Sequence, residues 1–430
     1  MLRGARWPGD VAIEDGRIAA VGSVPAEPDD DVVRVDGDMI TAGLVNTHHH
    51  FFQWMTRGWA FDCTLFGWLT TLYPVWARLT PEDVEVAAEV AMGELALTGC
   101  TTAADHHYLV PGGDDSVFDA IASAAKTIGI RAHIARGSMD LGQSRGGLPP
   151  DSVVEDLDAI LSSTQSVYER LHDGERIVVT VAPCSPFSVT SELMTESAAL
   201  ARRLGLRLHT HLAETLDEER SCLERFGRRP LQVLDDIGWI ASDVWVAHGI
   251  HFNDAEVLRL AETGTGIAHC PSSNCRLGSG IARVVDLTRA GAPVGLGVDG
   301  VASNEIGGLF PEMRMALFLA RQRDLSSTTF LPADSLRLAT EGGARCLGRD
   351  DVGRLEPGYR ADVAVWPGDD LADVLDPLAG LVLGPERHAR HVFVDGEYVV
   401  RDGTLLGADI DTLRRELARR ARRLWPQGAT

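Results

Sequence analysis

Histidines and a carboxylate follow short apolar runs of this chain, at positions where they could bind a metal ion. His48 and His50 come just after the run at 40–46, and His211 and Asp299 end two later runs. Alternate residues of an extended chain share a face, so His48 and His50 can bind the same ion. Three imidazoles and one carboxylate suit Zn²⁺ with a position left for water, and Fe²⁺ accepts the same ligands. The set predicts one divalent metal ion, with zinc as the first choice.

The middle of the chain predicts the scaffold that would bring these residues together. Short apolar runs alternate there with amphipathic, helix-like segments, a pattern typical of βα units. The eight runs are 40–46, 100–105, 131–136, 177–182, 207–211, 244–248, 264–269 and 293–299. They predict an α/β fold in which a parallel (β/α)8 TIM-like barrel carries its functional residues at the C-terminal ends of the strands. Each predicted ligand lies at or just after such an end.

Both ends of the chain are rich in short strand-like segments. Two of them flank Asp15-Gly16 and two more flank Asp395-Gly396, and Asp-Gly favours the type I′ turn of a β-hairpin. We therefore predict a small β-sandwich domain built from both termini. The predicted division is 1–41 and 351–405 for the small β domain, 42–350 for the barrel, and 406–430 for a C-terminal helical extension.

The net charge of −22, from 62 acidic and 40 basic residues, limits the partners. A surface this negative repels nucleic acid and anionic membranes. The chain has no apolar stretch typical of a membrane span or of a signal peptide. Its seven cysteines are scattered without a CxxC pair, as in a reduced compartment. We therefore expect a cytoplasmic protein that binds neither nucleic acid nor a membrane.

Five segments resemble motifs of the amidohydrolase superfamily, in the same order along the chain. They are TAGLVNTHHH at 41–50, HTHLAE at 209–214, AHG at 247–249, GVDGVASN at 297–304 and GRLEPGYRAD at 353–362. The first four look like the superfamily's motifs on strands one, five, six and eight, and the last looks like its return into the small β domain. The resemblance implies a metal-dependent hydrolase whose ligands are His48, His50, His211 and Asp299.

The end of the fourth strand distinguishes branches of this superfamily. Members with two metals bridge them there with a carboxylated lysine. This chain instead has Cys184 after the run at 177–182, and its only lysine, Lys126, lies on a predicted helix. The resemblance therefore implies the mononuclear aminohydrolase branch, whose members hydrolyse the C–N bond of an exocyclic amine on a heterocycle.

Three residues near the predicted metal have roles that the same resemblance implies. Glu214 stands three residues after His211 and would protonate a ring nitrogen as a general acid. His248 would orient the attacking hydroxyl, and Asp299 would take a proton from the water and pass it to the leaving ammonia. The plainer alternatives are a solvated residue at a helix N-terminus for Glu214 and a core histidine for His248.

Aromatic residues are concentrated between Phe51 and Trp76, directly after the first run. This segment is the predicted first βα loop, at the mouth of the barrel. Its rings could cover a flat heterocycle and exclude water, or they could pack against each other or against a neighbouring subunit. A homo-oligomer therefore stays open.

Gln53 and Cys184 are the predicted substrate-binding residues, together with Glu214. The sequence around Gln53 and the segment 182–188 resemble the 8-oxoguanine deaminase group, and a carboxamide can pair with a lactam edge. Deaminases of adenosine derivatives usually have histidine at the position of Cys184. The cysteine in this chain therefore favours a free base over a nucleoside as the substrate. The resemblance thus implies a small oxo-substituted heterocycle as substrate. The leading case is 8-oxoguanine, converted to urate and ammonia, with isocytosine as a further case.

Two other interpretations stay open. A hydroxytriazine, pterin or guanine aminohydrolase would share the scaffold, and its substrate would present similar polar atoms. A barrel that serves only as a scaffold is the remote alternative. Such a barrel should lack one or more metal ligands, whereas all four are present here.

Overall fold

The computed structural model describes residues 9–425, and its centre is a closed barrel of parallel strands. This barrel confirms the predicted (β/α)8 fold. Its strands, numbered one to eight in chain order, are Leu44–Asn46, Cys100–His107, Arg131–Ser138, Ile177–Pro183, Leu208–Leu212, Val244–His248, Gly266–His269 and Val294–Leu296. All their residues except Val178 are buried, which explains why parallel strands give uninterrupted apolar runs in the sequence.

The first predicted run, 40–46, is not the single barrel strand that we expected. Met39–Ala42 pairs antiparallel with Val363–Trp366 in another sheet, and only Leu44–Asn46 joins the barrel. Gly43 stands between them, where a Cβ atom would lie 2.3 Å from the side chain of Thr101. Because only glycine fits this close approach, the chain can pass there from one sheet into the other.

Helices follow the barrel strands and cover the outside of the barrel. The helix Pro81–Leu97 begins with a capping box, in which Thr80 and Asp83 each bind the backbone N–H of the other. The other α-helices of this region are Leu65–Trp76, Ser116–Ile128, Leu157–Leu171, Ser191–Leu204, Leu216–Phe226, Pro230–Asp236, Asp254–Thr263, Pro271–Arg276, Val284–Ala290, Val301–Asn304, Leu309–Asp324, Pro332–Arg337 and Gly343–Cys346. Within residues 9–425, no helix is both long and apolar enough to cross a membrane.

Strands from both ends of the chain form the small β domain. Its five-stranded sheet has the order Thr404–Leu405, Glu397–Arg401, His391–Val394, Val363–Trp366 and Met39–Ala42. The hairpin Asp10–Glu14 and Arg17–Gly22 is a second sheet beside it. Asp15 and Gly16 have φ of 48° and 74°, as the type I′ turn requires. The two sheets confirm the predicted sandwich.

The C-terminal part of the described chain is helical. After the short helix Pro377–Leu383 and the last strands, the helix Ile410–Leu424 packs against Pro81–Leu97. Arg420 and Arg423 of this helix pair with the buried carboxylate of Asp83. The first eight residues of the predicted small domain and residues 426–430 of the predicted extension lie outside the described residues.

Candidate active site

The four predicted metal ligands meet at the C-terminal end of the barrel. His48 and His50 follow strand one, His211 lies in strand five, and Asp299 stands three residues after strand eight. All four side chains are buried. The parallel barrel therefore brings together residues that are as much as 251 positions apart (299 less 48).

The ligand atoms of this set are spaced as a single ion requires. His48 Nε2 lies 3.3 Å and His50 Nε2 lies 3.2 Å from Asp299 Oδ1, and His50 Nε2 lies 3.1 Å from His211 Nε2. Atoms that each bind one zinc ion at ~2.0–2.1 Å in a tetrahedral arrangement lie roughly 3.3 Å from one another. The three measured distances match that spacing.

The proton positions of two of these histidines also fit a cation. His50 Nδ1 lies 2.6 Å from the carbonyl oxygen of His106, and His211 Nδ1 lies 2.7 Å from that of Cys184. A carbonyl oxygen only accepts, so each Nδ1 carries the hydrogen, and in a neutral ring Nε2 then has a lone pair. Burial lowers the pKa of His211 to about 3, which keeps its ring neutral.

Lone pairs consequently face each other across the centre of the set. The Nε2 atoms of His50 and His211 and the carboxylate of Asp299 approach within hydrogen-bond distance, although all of them are acceptors. His48 Nε2 is buried and has no hydrogen-bond partner among residues 9–425. Such crowding of buried acceptors is unfavourable unless a cation lies between them. The residues therefore fit one divalent metal ion.

Two serines orient the carboxylate of Asp299. Ser273 Oγ donates to Asp299 Oδ2 over 2.6 Å, and Ser273 Oγ lies 2.9 Å from Ser303 Oγ. Oδ2 is thereby held away from the histidines while Oδ1 faces them. Sequence reasoning missed both serines, because a serine has no spacing signal of its own before its partner is known.

Glu214 and His248 lie next to each other beside the ligands. His248 Nε2 is 3.6 Å from Glu214 Oε2, and His248 Nδ1 is 3.0 Å from Asn274 Oδ1. Burial raises the pKa of Glu214 well above its usual value, and the negative charge of Asp299 raises it further. The surroundings of Glu214 therefore favour its protonated form more than water does. The arrangement combines a buried acid with a histidine whose ring is fixed by Asn274.

Glu218 fixes the backbone at Glu214. Its carboxylate accepts from the N–H of Ala213 over 2.9 Å and from the N–H of Glu214 over 2.8 Å. This bidentate contact comes from the first turn of the helix Leu216–Phe226. Sequence analysis did not single out Glu218. The only available signal was its place in the first turn, where acidic residues are common for other reasons.

A cavity that is open to solvent lies in front of these residues. Gln53 and Cys184, two of the three predicted substrate-binding residues, line it. The oxygen atom Gln53 Oε1 is buried and has no hydrogen-bond partner in the structure. The remaining lining residues are His50, Leu65, Trp68, Leu69, Tyr73, Tyr108, Phe187, His211, Glu214, His248, Leu277, Asp299 and Ser303. The cavity is therefore polar at the candidate metal ligands and largely apolar elsewhere.

The segment between Phe51 and Trp76 forms one wall of this cavity. Its helix Leu65–Trp76 contributes Trp68 and Tyr73, and the Trp68 indole N–H donates to the carbonyl oxygen of Ala302. Other rings, such as Trp76, are buried outside the cavity, while Phe61 is exposed. Some rings of the segment thus line the cavity and others pack in the core, and their contact with a substrate stays a prediction.

Comparisons with known proteins agree with this architecture. A model of the amidohydrolase family matches residues 39–399. The chain is 50% identical to 8-oxoguanine deaminase of Pseudomonas aeruginosa, over 94% of this chain and 92% of that protein. It is 36% identical to an isoxanthopterin deaminase from an unknown prokaryotic organism, over 98% of this chain and 93% of that protein.

Solved structures show the same fold over nearly the whole chain. A mutant of the atrazine chlorohydrolase TrzN from Arthrobacter aurescens TC1, complexed with zinc and atraton, superposes with a TM-score of 0.91. It is 32% identical in sequence, and the match covers 96% of this chain and 95% of the other. The likeness therefore includes the barrel and the small β domain together.

Proposed function

Because the chain belongs to the amidohydrolase family, we propose that it hydrolyses the exocyclic amino group of 8-oxoguanine and releases urate and ammonia. Deaminases are among its relatives, and the chain is a hydrolase that acts on C–N bonds. The observation that carries the choice of 8-oxoguanine is the 50% identity with an 8-oxoguanine deaminase over 94% of the chain. In this reaction water adds its oxygen to the carbon that loses ammonia.

We assign the metal to His48, His50, His211 and Asp299. A relative whose structure is known was solved with zinc, and the three imidazoles and one carboxylate support the same ion here. When bound there, a divalent ion supplies Lewis acidity and makes a nucleophile available from water at neutral pH. The remaining chemistry belongs to side chains of this protein.

Glu214 is the proposed proton donor. Its buried carboxyl group can pass a proton to the ring nitrogen beside the reacting carbon as that carbon becomes tetrahedral. His248 orients the attacking oxygen from its position next to Glu214. Asp299, held by Ser273, takes the proton of the attacking water and delivers it to the amine, which leaves as ammonia. The remaining proton of the added hydroxyl returns to the Glu214 carboxylate as the carbonyl of the product forms, which restores the acid.

The cavity supports a free base as the substrate. Trp68, Leu69 and Tyr73 offer apolar surface to a flat ring, and the carboxamide of Gln53 offers a donor and an acceptor to a lactam edge. We assign Cys184 to the same wall of the pocket. Isocytosine carries an equivalent amino-lactam edge, so we expect it to be a second substrate.

A pterin is the second candidate, because the chain is also similar to an isoxanthopterin deaminase. A panel of 8-oxoguanine, isocytosine, guanine, isoxanthopterin and a hydroxytriazine, assayed for ammonia release by the zinc-loaded protein, separates the candidates. We expect the highest kcat/KM with 8-oxoguanine and the appearance of urate. No ammonia from 8-oxoguanine together with turnover of another ring would contradict the proposal.

The variant Glu214→Gln tests the proton donor within the same panel. The amide cannot supply the proton, so kcat should fall by about 10²–10⁴-fold. Because Glu214 is not a ligand in the proposed site, the zinc content should stay at the wild-type level. Full activity of this variant would remove Glu214 from the mechanism.

A further inference from the structure

His209 is a buried histidine that the proposed mechanism does not use. It lies in strand five, two residues before His211, and its ring stacks on that of Trp245 with centroids 4.4 Å apart. His209 Nε2 lies 2.9 Å from His48 Nδ1, and His209 Nδ1 lies 2.9 Å from the carbonyl oxygen of Trp245. His209 therefore bridges a proposed metal ligand and the backbone of strand six.

A proton, rather than a second metal ion, fits between His48 and His209. Nitrogens of His48, His106 and His209 lie close enough together to suggest an ion. However, 2.9 Å is an ordinary hydrogen-bond length, whereas two nitrogens bound to one zinc ion lie roughly 3.3 Å apart. His48 would also have to bind one ion through each of its nitrogens. The contact is thus an N–H···N hydrogen bond.

The direction of this hydrogen bond follows from the Trp245 carbonyl. That oxygen only accepts, so His209 Nδ1 carries the hydrogen of its ring. A neutral imidazole has one donor and one acceptor, and His209 Nε2 is therefore the acceptor. His48 Nδ1 must then donate, which leaves the lone pair of the His48 ring on Nε2. This atom faces Asp299 Oδ1 at 3.3 Å.

We propose that His209 is a positioning residue, which together with the Trp245 carbonyl fixes the hydrogen of His48 on Nδ1 and so turns the Nε2 lone pair toward the metal. The inference rests on the proposed metal site but not on the identity of the substrate. His50 and His211 obtain the same tautomer from backbone carbonyl groups. Among the three proposed histidine ligands, only His48 has its tautomer set by a side chain. A substitution of that side chain can therefore test the proposal.

Two variants of His209 separate this role from simple packing. His209→Leu leaves His48 Nδ1 without an acceptor, and we expect the affinity for zinc to fall about 10–100-fold. In His209→Gln the carboxamide oxygen can accept from His48 while its NH₂ group donates to the Trp245 carbonyl. Zinc affinity should then stay within a few-fold of the wild type. Affinity and release rate are measured with zinc and a chromogenic chelator.

His133→Leu is the matched control. His133 is buried in strand three, and within the described part of the chain neither of its ring nitrogens has a hydrogen-bond partner. This variant should leave zinc affinity unchanged. Thermal unfolding of each metal-free protein, recorded alongside, reports any loss of packing. Equal weakening of zinc binding by Leu and Gln at position 209, or unchanged binding in the Leu variant, would overturn the proposal.

The tautomer of His48 can also be observed directly in the wild-type protein, so this test does not depend on whether a variant folds. In protein with ¹⁵N-labelled histidine, the zinc-loaded form should show His48 with a hydrogen on Nδ1 and zinc on Nε2, and the reverse assignment would refute the inference. Neither readout involves turnover of 8-oxoguanine. A wrong substrate and a wrong role for His209 are therefore distinguishable.

Discussion

Three residues at the mouth of the barrel have backbone angles that L-residues rarely adopt. The angle φ is +54° at Ala213, +73° at His248 and +62° at Asp299. Each such residue costs on the order of 1–3 kcal/mol. These positions lie at or just after the ends of strands five, six and eight. The surrounding structure therefore stabilises a strained backbone where the candidate catalytic side chains converge, which supports a functional role for this mouth.

Gly300 controls the position of Gln53. Its φ of −80° suits any residue, but a Cβ atom there would lie 1.7 Å from Gln53 Oε1. Gly300→Ala should displace the carboxamide and remove its proposed contact with the substrate. We therefore expect KM for 8-oxoguanine to rise about tenfold, the effect of losing ~1.4 kcal/mol of binding. Zinc content should not change. Steady-state kinetics and metal analysis provide the measurements.

Gly67→Ala is the control for that variant. Gly67 lies in the helix Leu65–Trp76, and an added Cβ atom would meet Cys63 only at an ordinary contact distance of 3.7 Å. We expect wild-type KM for Gly67→Ala. An unchanged KM in Gly300→Ala would mean that Gln53 does not contact the substrate.

Some residues of the site were predictable from the sequence and others were not. His48, His50, His211 and Asp299 stand at the ends of apolar runs, and the structure brings them together; their role as ligands stays a prediction. Ser273, Asn274 and Glu218 act on neighbours through contacts that exist only in the folded chain. Their residue types are common, and their partners are set by tertiary packing, so no local pattern distinguishes them.

At the scale of elements, Arg276 holds the connection that follows strand one, the segment between Phe51 and Trp76, in position. The guanidinium group of Arg276 donates to the carbonyl oxygens of Trp59 and Ala60 and pairs with Glu305 over 3.1 Å. It reaches them from the helix Pro271–Arg276, which follows strand seven. The segment that carries the aromatic wall is thereby attached to the connection that follows strand seven.

Arg276→Met should loosen this attachment. We expect faster proteolysis within residues 57–64 and a several-fold rise in KM, because the wall no longer closes the cavity as often. Arg170→Met is the control, since Arg170 forms an exposed ion pair with Asp119, and such pairs contribute little. Limited proteolysis and kinetics of both variants are compared. Identical digestion patterns would show that Arg276 does not hold the segment.

The sequence located the barrel elements better than their junctions. Eight apolar runs predicted eight strands because parallel strands are buried on both faces. The break at Gly43 was not foreseen, since both sides of it are apolar and buried and only the partners differ. Similarly, aromatic content identified the wall segment but not which rings line the cavity. That distinction depends on how the helix Leu65–Trp76 is rotated against the barrel.

At the scale of the whole molecule, buried and partly buried ion pairs join the barrel to the small β domain. Arg131, at the start of strand three, pairs with Asp362 over 3.1 Å and also with Asp395. Arg360 links Asp395 to Asp351. Although burial alone would raise the pKa of Asp395, these guanidinium groups hold it below its usual value. The stabilisation is therefore present at neutral pH and is lost as the pH falls below about 4.

Asp362→Ala should destabilise the protein without changing its chemistry. Removing one partner of a buried ion pair typically lowers the free energy of unfolding by about 3–5 kcal/mol. We expect a loss of about 3 kcal/mol here, because Arg131 still pairs with Asp395. The value of kcat/KM should stay unchanged, since this network lies at the end of the barrel opposite the cavity. Urea unfolding of the zinc-loaded protein measures the loss.

The exposed pair of Asp235 and Arg259 provides the comparison. Asp235→Ala should lower the free energy of unfolding by less than about 1 kcal/mol. If Asp362→Ala lowers the free energy of unfolding no more than Asp235→Ala does, the network of Arg131, Asp362 and Asp395 does not contribute to stability. A lower kcat/KM at full folding would instead mean that the small domain influences the reaction.

The passage at Gly43 limits how this protein can be rearranged. The same stretch of backbone that ends the edge strand Met39–Ala42 continues through Leu44–Asn46 to His48. New termini opened between 39 and 46 would release two imidazoles from their anchor, and exchanging the small domain for that of a distant homologue would shift them. Circular permutants and chimaeras of this enzyme should therefore keep that stretch intact and be cut in exposed loops elsewhere.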